Sequence, residues 1–277
     1  FSEIKMANDA LFSDFDNDGD QDLIVVGEWM EILFFENNKG VFNKKNIPAL
    51  EKSEGWQQSI KVFDVNADGL KDYLIGNWGN NNKFHPSAEK PLHIYADYLD
   101  NNASFDIVLS KESKGKMVPV RGKECSTQQT PFLGKKIGNF SEFANASLGE
   151  IYGNDKLQKA THYKAYNFNS IILKNVGNGH FEIIDLPNQA QFSPTLDFAF
   201  VDNQIIGIGN VYDAEVETIR YDASQGYILD KTKLKTVSNT GFSNNKEAKA
   251  METIIINGKQ HLIILNKNDT ISIFCKK

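Results

Sequence analysis

Five aspartates crowd into nine residues at Asp14-Phe-Asp-Asn-Asp-Gly-Asp-Gln-Asp22. A second stretch, Asp64-Val-Asn-Ala-Asp-Gly-Leu-Lys-Asp72, repeats the spacing 50 residues further on. Both fit D-x-[DN]-x-D-G-x-x-D followed by an apolar strand. Carboxylates this close repel one another, and a hard divalent cation removes that cost, Ca²⁺ taking about six to eight oxygen ligands. Alternate positions 1, 3 and 5 of a tight loop can point inward together. Position 7 can offer its backbone carbonyl and position 9 a carboxylate. One Ca²⁺ is therefore expected on Asp14, Asp16, Asp18 and Asp22 with the Asp20 carbonyl. A second is expected on Asp64, Asn66, Asp68 and Asp72 with the Leu70 carbonyl. Gly19 and Gly69 stand where the backbone turns sharply, a place for positive φ. Neither loop contains His or Cys, which excludes zinc as the intended ion. An EF-hand would need an acid at position twelve and flanking helices, but Val25 and Ile75 stand there, inside strands. The bland alternative is a hairpin turn built from Asp, Asn and Gly; two copies in register weigh against it.

The elements that must hold such loops are short strands. The first repeat reads as strands over 10–13, 22–28, 31–36 and 41–47, with turns at Asn17-Asp-Gly19 and Asn37-Asn-Lys-Gly40. The second turn recurs at Asn175-Val-Gly-Asn-Gly179. A decayed third loop runs from Tyr98 to Asp106. It keeps Asp100, Asn102 and Asp106, but Tyr98 replaces the first carboxylate and Ala103 the glycine. A plain turn is the favoured reading there, with a weak ion site as the alternative. A fourth strand, 205–210, follows a shrunken loop at 201–204, and a fifth, 261–266, has no acidic loop. Four strands per unit of about 40 to 50 residues is a propeller-blade pattern. The sequence thus predicts one all-β domain over 1–277, a β-propeller of about five four-stranded blades, complete or part of a seven-bladed ring. The units fall at 7–47, 57–96, 97–187, 191–237 and 246–277, with residues 1–6 completing the last blade. Apolar residues at three- and four-residue steps from Phe132 to Ile151 predict a short helical insertion, 121–166, within the third blade.

Composition bounds the rest. Of 277 residues, 40% are hydrophobic and 24% charged, which fits a folded chain with a large core. Asn and Gly together supply 49 residues (29 and 20), enough for many turns. A formal charge of −6 argues against a nucleic-acid surface. No apolar run reaches the roughly 18 residues of a membrane span. The chain starts at Phe1 rather than Met, so a processed chain or an excised segment is expected. Cys125 and Cys275 belong to no CxxC motif, and their pairing stays open.

The loop motif is similar to the calcium loop of FG-GAP/VCBS repeats, found in integrin-α propellers and bacterial surface proteins. The second half adds more: Asn175 to Pro187, Ala190-Gln-Phe-Ser-Pro194 and Glu215 to Gly226 resemble the C-terminal region of bacterial VCBS proteins related to the cartilage acidic protein group. The resemblance extends over nearly the whole chain. It implies an exported protein, often lipid-anchored upstream, acting in extracellular binding or adhesion towards a protein or glycan, and not an enzyme.

Other chemistry is sparse. Asp213, Glu215, Glu217, Arg220 and Asp222 form the densest charge cluster outside the loops. They are candidates for ligand binding, or for a carbohydrate-active enzyme using paired carboxylates. Outward charges guarding a strand edge are the simpler reading. A purely structural segment of a larger surface protein is a third alternative. Trp29, Trp56 and Trp78 either pack the blades or line a sugar face. The five histidines show no metal-ligand spacing, and Ser193 and Ser224 lack a nucleophile elbow.

Overall fold

The computed structural model describes residues 4–100, 102–215, 218–230, 232–235 and 237–275. Strands occupy 45% of the chain and helices 14%, so the protein is mostly β. Among the described residues the strands form five antiparallel sheets. The chain divides into two compact units, residues 1–83 with 168–277, and residues 84–167.

In the larger unit, the first sheet runs β1 (Met6–Ser13), β2 (Asp22–Met30), β3 (Leu33–Asn38) and β4 (Val41–Lys45), with β5 (Gly55–Trp56) also paired to β2. The second sheet starts with β6 (Ser59–Phe63) and β7 (Asp72–Gly76). Residues 84–167 then intervene. They contain β8 (Leu92–Asp97), β9 (Asp106–Ser113) and β10 (Lys116–Pro119), five short helices α1–α5 between Lys123 and Lys159, and β11 (Thr161–Ala165). These four strands form a sheet of their own, ordered β10-β9-β8-β11. The second sheet resumes with β12 (Ile171–Gly177) beside β7 and β13 (His180–Asp185) outside it. The fourth sheet is β14 (Thr195–Val201), β15 (Gln204–Gly209), β16 (Tyr227–Asp230) and β17 (Lys233–Lys235). After the one-turn α6 (Val237–Thr240), the fifth sheet is β18 (Ala248–Ile256), β19 (Lys259–Asn266) and β20 (Ser272–Cys275).

The second and third sheets therefore differ from the expected units 57–96 and 97–187. Strand β7 pairs with β12 across the inserted residues (Ile75 opposite Ile171, Tyr73 opposite Leu173). The expected boundaries follow chain order, whereas the pairing skips 84–167. The insertion is also more than helices. Its core sets Leu99 and Val108 against Leu133, Ile137, Phe143, Leu148 and Ile151. Asn139 caps α3 (Phe140–Asn145) by accepting from Glu142 N at 2.8 Å, and Ser147 and Glu150 form a capping box on α4 (Leu148–Tyr152). Among the described residues the fifth sheet has three strands; of the stretch expected to complete it, Ile4 and Lys5 are in no strand, Met6 opens β1, and residues 1–3 lie outside the described residues.

The packing in the larger unit follows from sequence alternation. Every residue of β7 is buried. With side chains alternating faces, Tyr73 and Ile75 enter the core shared with the first sheet, and Leu74 the core shared with the fourth. Ile171 and Leu173 against Ile172 repeat this on β12. A third core joins the fourth and fifth sheets through Ile208, Met251 and Ile264. The first strands succeed one another, β1 beside β6, β6 beside β14 and β14 beside β18. Polar links stitch them together. Ile60 N donates to Asp9 at 2.9 Å, Ser59 Oγ donates to the Thr195 carbonyl at 3.2 Å, and Met251 N donates to Asp197 at 2.7 Å. The approach is close enough that a Cβ on Gly76 would lie 2.2 Å from the Thr195 carbonyl oxygen.

Where the acidic loops are lost, two-residue turns take over. Asp202 and Asn203 join β14 to β15 with φ of 49° and 61°, and Asn257-Gly258 join β18 to β19 with 51° and 75°. Positive φ at both central residues is the turn that matches strand twist.

Candidate functional site

The two acidic loops join β1 to β2 and β6 to β7. They share a backbone. Position four is left-handed in both (Asn17 φ 62°, Ala67 φ 60°), and so is the glycine at position six (Gly19 φ 100°, Gly69 φ 87°). Each is fixed to the fold at two points. The second residue is apolar and turns inward: Phe15 is 1% exposed and meets Phe34 edge to face at 5.1 Å, while Val65 is half-buried. The ninth residue, Asp22 or Asp72, is fully buried. Its Oδ2 accepts from the N–H of that inward residue, Phe15 at 3.1 Å and Val65 at 2.8 Å. Its Oδ1 accepts from Asn37 N at 2.9 Å or Asn175 N at 2.8 Å, at the two matching turns. Asp22 and Asp72 are thus staples between a loop and the neighbouring strands. Burial pushes both carboxyls above the ordinary 3.8, and the N–H donors hold them partly back.

Loop one gathers charge. Carboxylate oxygens of Asp14, Asp16 and Asp18 lie within 4.8 Å of one another. Asp18 N donates to Asp14 at 3.2 Å and Asp20 N to Asp18 at 3.0 Å. Oδ1 of Asp16 and Oδ1 of Asp20 are shielded from solvent and have no hydrogen-bond partner among the described residues. Burial, then Asp22 and Asp18, push the Asp16 carboxyl up. Burial, then Asp18, Asp16 and Asp14, do the same to Asp20. An all-oxygen cluster with stranded, mutually repelling carboxylates fits a hard divalent cation, and these are the residues that would hold it.

Loop two satisfies itself. Asn66 Nδ2 donates to Asp68 Oδ2 at 2.7 Å, and Leu70 N donates to Asp68 Oδ1 at 2.9 Å. Asp68 N and Gly69 N donate to Asp64 at 3.1 and 2.9 Å. The Leu70 N–H and the Asn66 amide hold the Asp68 carboxyl below its ordinary value. The residues expected to ligate are together, but their acceptors are already served.

The third loop, in the inserted unit, keeps the two fixing points and little else. Leu99 is fully buried and its N–H donates to Asp106 Oδ2 at 2.9 Å. Asp106 Oδ1 has no partner among the described residues, and burial pushes this carboxyl up. Asn102 is spent on Asp100, its Nδ2 donating at 2.6 Å.

In the cluster around Asp213, two carboxylates are each paired with a lysine. Asp213 pairs with Lys267, which holds its carboxyl below the ordinary value, and Glu215 pairs with Lys83 at 3.2 Å. The Arg220 guanidinium lies 5.4 Å from the centre of the Tyr212 ring, and Asp222 is exposed. Glu217 lies outside the described residues. The tryptophans pack in a chain: Trp29 on Trp56 and Trp56 on Trp78, each edge to face at 5.4 Å, then Tyr221 on Trp78 at 4.9 Å. Trp29 and Trp56 are buried, so these two serve the core.

Sequence reasoning missed Asn37 and Asn175 as staple partners, although their repeated turns were visible. It also missed a histidine pair. On the inserted sheet, His93 Nδ1 and His162 Nε2 lie 2.9 Å apart in nearly parallel rings whose centres are 5.1 Å apart. The two nitrogens aim at each other along the line of centres, as in an N–H···N bond, which leaves no space for a metal between them.

Residues 14–75, both acidic loops with the strands between them, match the model of the FG-GAP-like repeat. FG-GAP repeats are extracellular-type binding modules. No curated protein matches the chain. No helix among the described residues is long and apolar enough to cross a membrane.

Proposed function

We propose that this chain is a calcium-stabilised extracellular binding module in which the four sheets of the larger unit radiate as propeller blades, and that it recognises a protein or glycan rather than turning over a substrate. The observation that carries the reading is the convergence of Asp14, Asp16 and Asp18 beside the unpartnered oxygens of Asp16 and Asp20. The radial reading draws support from the succession β1, β6, β14, β18 with an apolar core between each pair of neighbouring sheets. The extracellular reading draws on the FG-GAP-like repeat, as does the resemblance to VCBS surface proteins. Calcium here has a structural task. It neutralises loop one, and the Asp22 staple carries that order into β3.

Isothermal titration of Ca²⁺ into chelator-treated protein tests the proposal. Uptake is expected with a constant of about 10⁻⁴ to 10⁻³ M, the range of extracellular calcium modules. No heat up to about ten millimolar, well past the weak end of that range, would reduce the loops to turns.

A further inference from the structure

Two stretches singled out in the sequence, Ala190–Pro194 and Arg220–Gly226, have no part in the calcium reading, yet the fold brings them together. Ser224 N donates to Ser193 Oγ at 3.1 Å. With β16 and β17 they border a cavity of about 310 Å³ in the larger unit. We propose that this cavity binds a small carboxylate with an apolar body of single-ring size.

Size comes first. Ligand pockets run from roughly 300 to 1,000 Å³, so this one sits at the small end and takes one compact body, not an extended chain. The floor is apolar. Ile228 and Phe242 are buried there, and the neighbouring Tyr227 hydroxyl is already spent on Thr195 Oγ1 at 3.0 Å. The Phe242 wall is fixed from behind by Phe274, rings 5.0 Å apart. A Cβ on Gly226 would come within 2.7 Å of the Phe242 ring, so glycine is what lets this ring close the floor. At the mouth the Phe192 ring is 39% exposed.

Charge comes second. The polar residues of the lining are Gln189, Gln225 and Lys235, with Ser224 and Thr240, whose hydroxyls already accept from Gly226 N at 3.0 Å and Phe242 N at 3.2 Å. Neither glutamine amide holds a hydrogen bond among the described residues. Lys235 meets Asp230 at 3.2 Å, with the two side chains 34% and 55% exposed. Such exposed pairs are weak, so a ligand carboxylate can share the ammonium. In a chain of net charge −6, β17 carries Lys233 and Lys235 on three residues, a local cationic edge. An apolar floor under a rim of donors with one cation suits an apolar acid. It does not suit a pyranose, which needs paired polar groups deep in its site.

The probe is 3-phenylpropionate, with uncharged 3-phenylpropanamide as its isostere, titrated into the whole chain by ligand-observed NMR in calcium and again in chelator. The carboxylate is expected to bind with a Kd of about 1 mM or tighter. The amide should bind about fivefold more weakly, the worth of one exposed ion pair. Lys235→Gln should bring the carboxylate down to the amide's level and leave the amide unchanged. Leu234→Trp should fill the cavity and abolish both. Should that variant unfold on melting analysis, Phe192→Ala, at an exposed ring, should weaken both ligands about equally. Binding should persist in chelator, so failure of the calcium reading leaves this result standing. Equal affinity for acid and amide, no effect of either pocket variant, or no binding of either probe at about ten times that Kd would each overturn the proposal.

Discussion

In loop one, Asp16 stands at position three and Asp20 at position seven, and an oxygen of each is left without a donor. In loop two the same positions hold Asn66 and Leu70. The Asn66 amide donates to Asp68, whereas the position-seven N–H donates to the position-five carboxylate in both loops, Leu70 to Asp68 and Asp20 to Asp18. The backbones match, with left-handed residues at positions four and six of both. The change at position three thus adds a donor, and the change at position seven removes a carboxylate. The motif D-x-[DN]-x-D-G-x-x-D treats Asp and Asn at position three alike, because both offer an oxygen to an ion. Without an ion they differ, since only Asn can also donate. Loop one should therefore depend on calcium for its order, and loop two should gain less from it.

The comparison breaks most sharply at the inward-facing second residue. Phe15 is buried in the core between the first two sheets, in contact with Phe34 and Phe181, whereas Val65 is half-buried. Phe15→Ala is expected to cost about 3–5 kcal/mol, the range for a buried aromatic. Val65→Ala should cost about 1 kcal/mol, two partly buried methyl groups. Calorimetric melting in chelator checks both. Equal losses would mean that loop one is not anchored through its ring.

The staples come next. Asp22→Ala or Asp72→Ala strands two N–H groups, at about 1–3 kcal/mol each. The loss is offset in part because burial already disfavours the charged carboxylate. A net cost of about 2–3 kcal/mol is expected for either. Asp106 serves one N–H with one oxygen, so Asp106→Ala should cost about half as much. Denaturant midpoints at constant slope would measure the three variants. An Asp106 variant as damaged as the Asp72 variant would show that the second oxygen contributes nothing.

This division of labour explains what the sequence discloses. The spacing of the loops, the short strands and the helical periodicity of 132–151 are local patterns, and they are legible residue by residue. The ninth aspartate reads as a metal ligand because its partners, Asn37 and Asn175, lie 15 and 103 residues away. Only the fold reveals that its two oxygens already accept N–H groups. For the same reason the third loop keeps Leu99 and Asp106 while Tyr98 and Ala103 replace its first carboxylate and its glycine: the fixing points serve the strands whether or not an ion is bound. The exchange of partners between β7 and β12 was hidden because the inserted residues carry strands of their own. The 57–96 stretch contains three strands, β6, β7 and β8, yet β8 belongs to another sheet. Nothing in a strand's own composition marks the sheet that it joins.

The finest test exchanges the two loops' chemistry without touching their anchors. Asp16→Asn gives loop one the residue of loop two, and Asn66→Asp does the reverse. At ion concentrations about tenfold above the dissociation constant, binding adds roughly 1.4 kcal/mol per site, a few degrees of melting temperature for a chain of this size. Asp16→Asn should raise stability in chelator, because it removes a carboxylate that burial, Asp22 and Asp18 all disfavour in its charged form. It should also cut the gain from millimolar Ca²⁺ to about half. Asn66→Asp should lower stability in chelator, since the donor to Asp68 is lost, and should enlarge the calcium gain. The two variants thus move in opposite directions in chelator and converge in calcium. Parallel shifts under both conditions would show that position three tunes only the turn, and that the contrast between the loops has nothing to do with an ion.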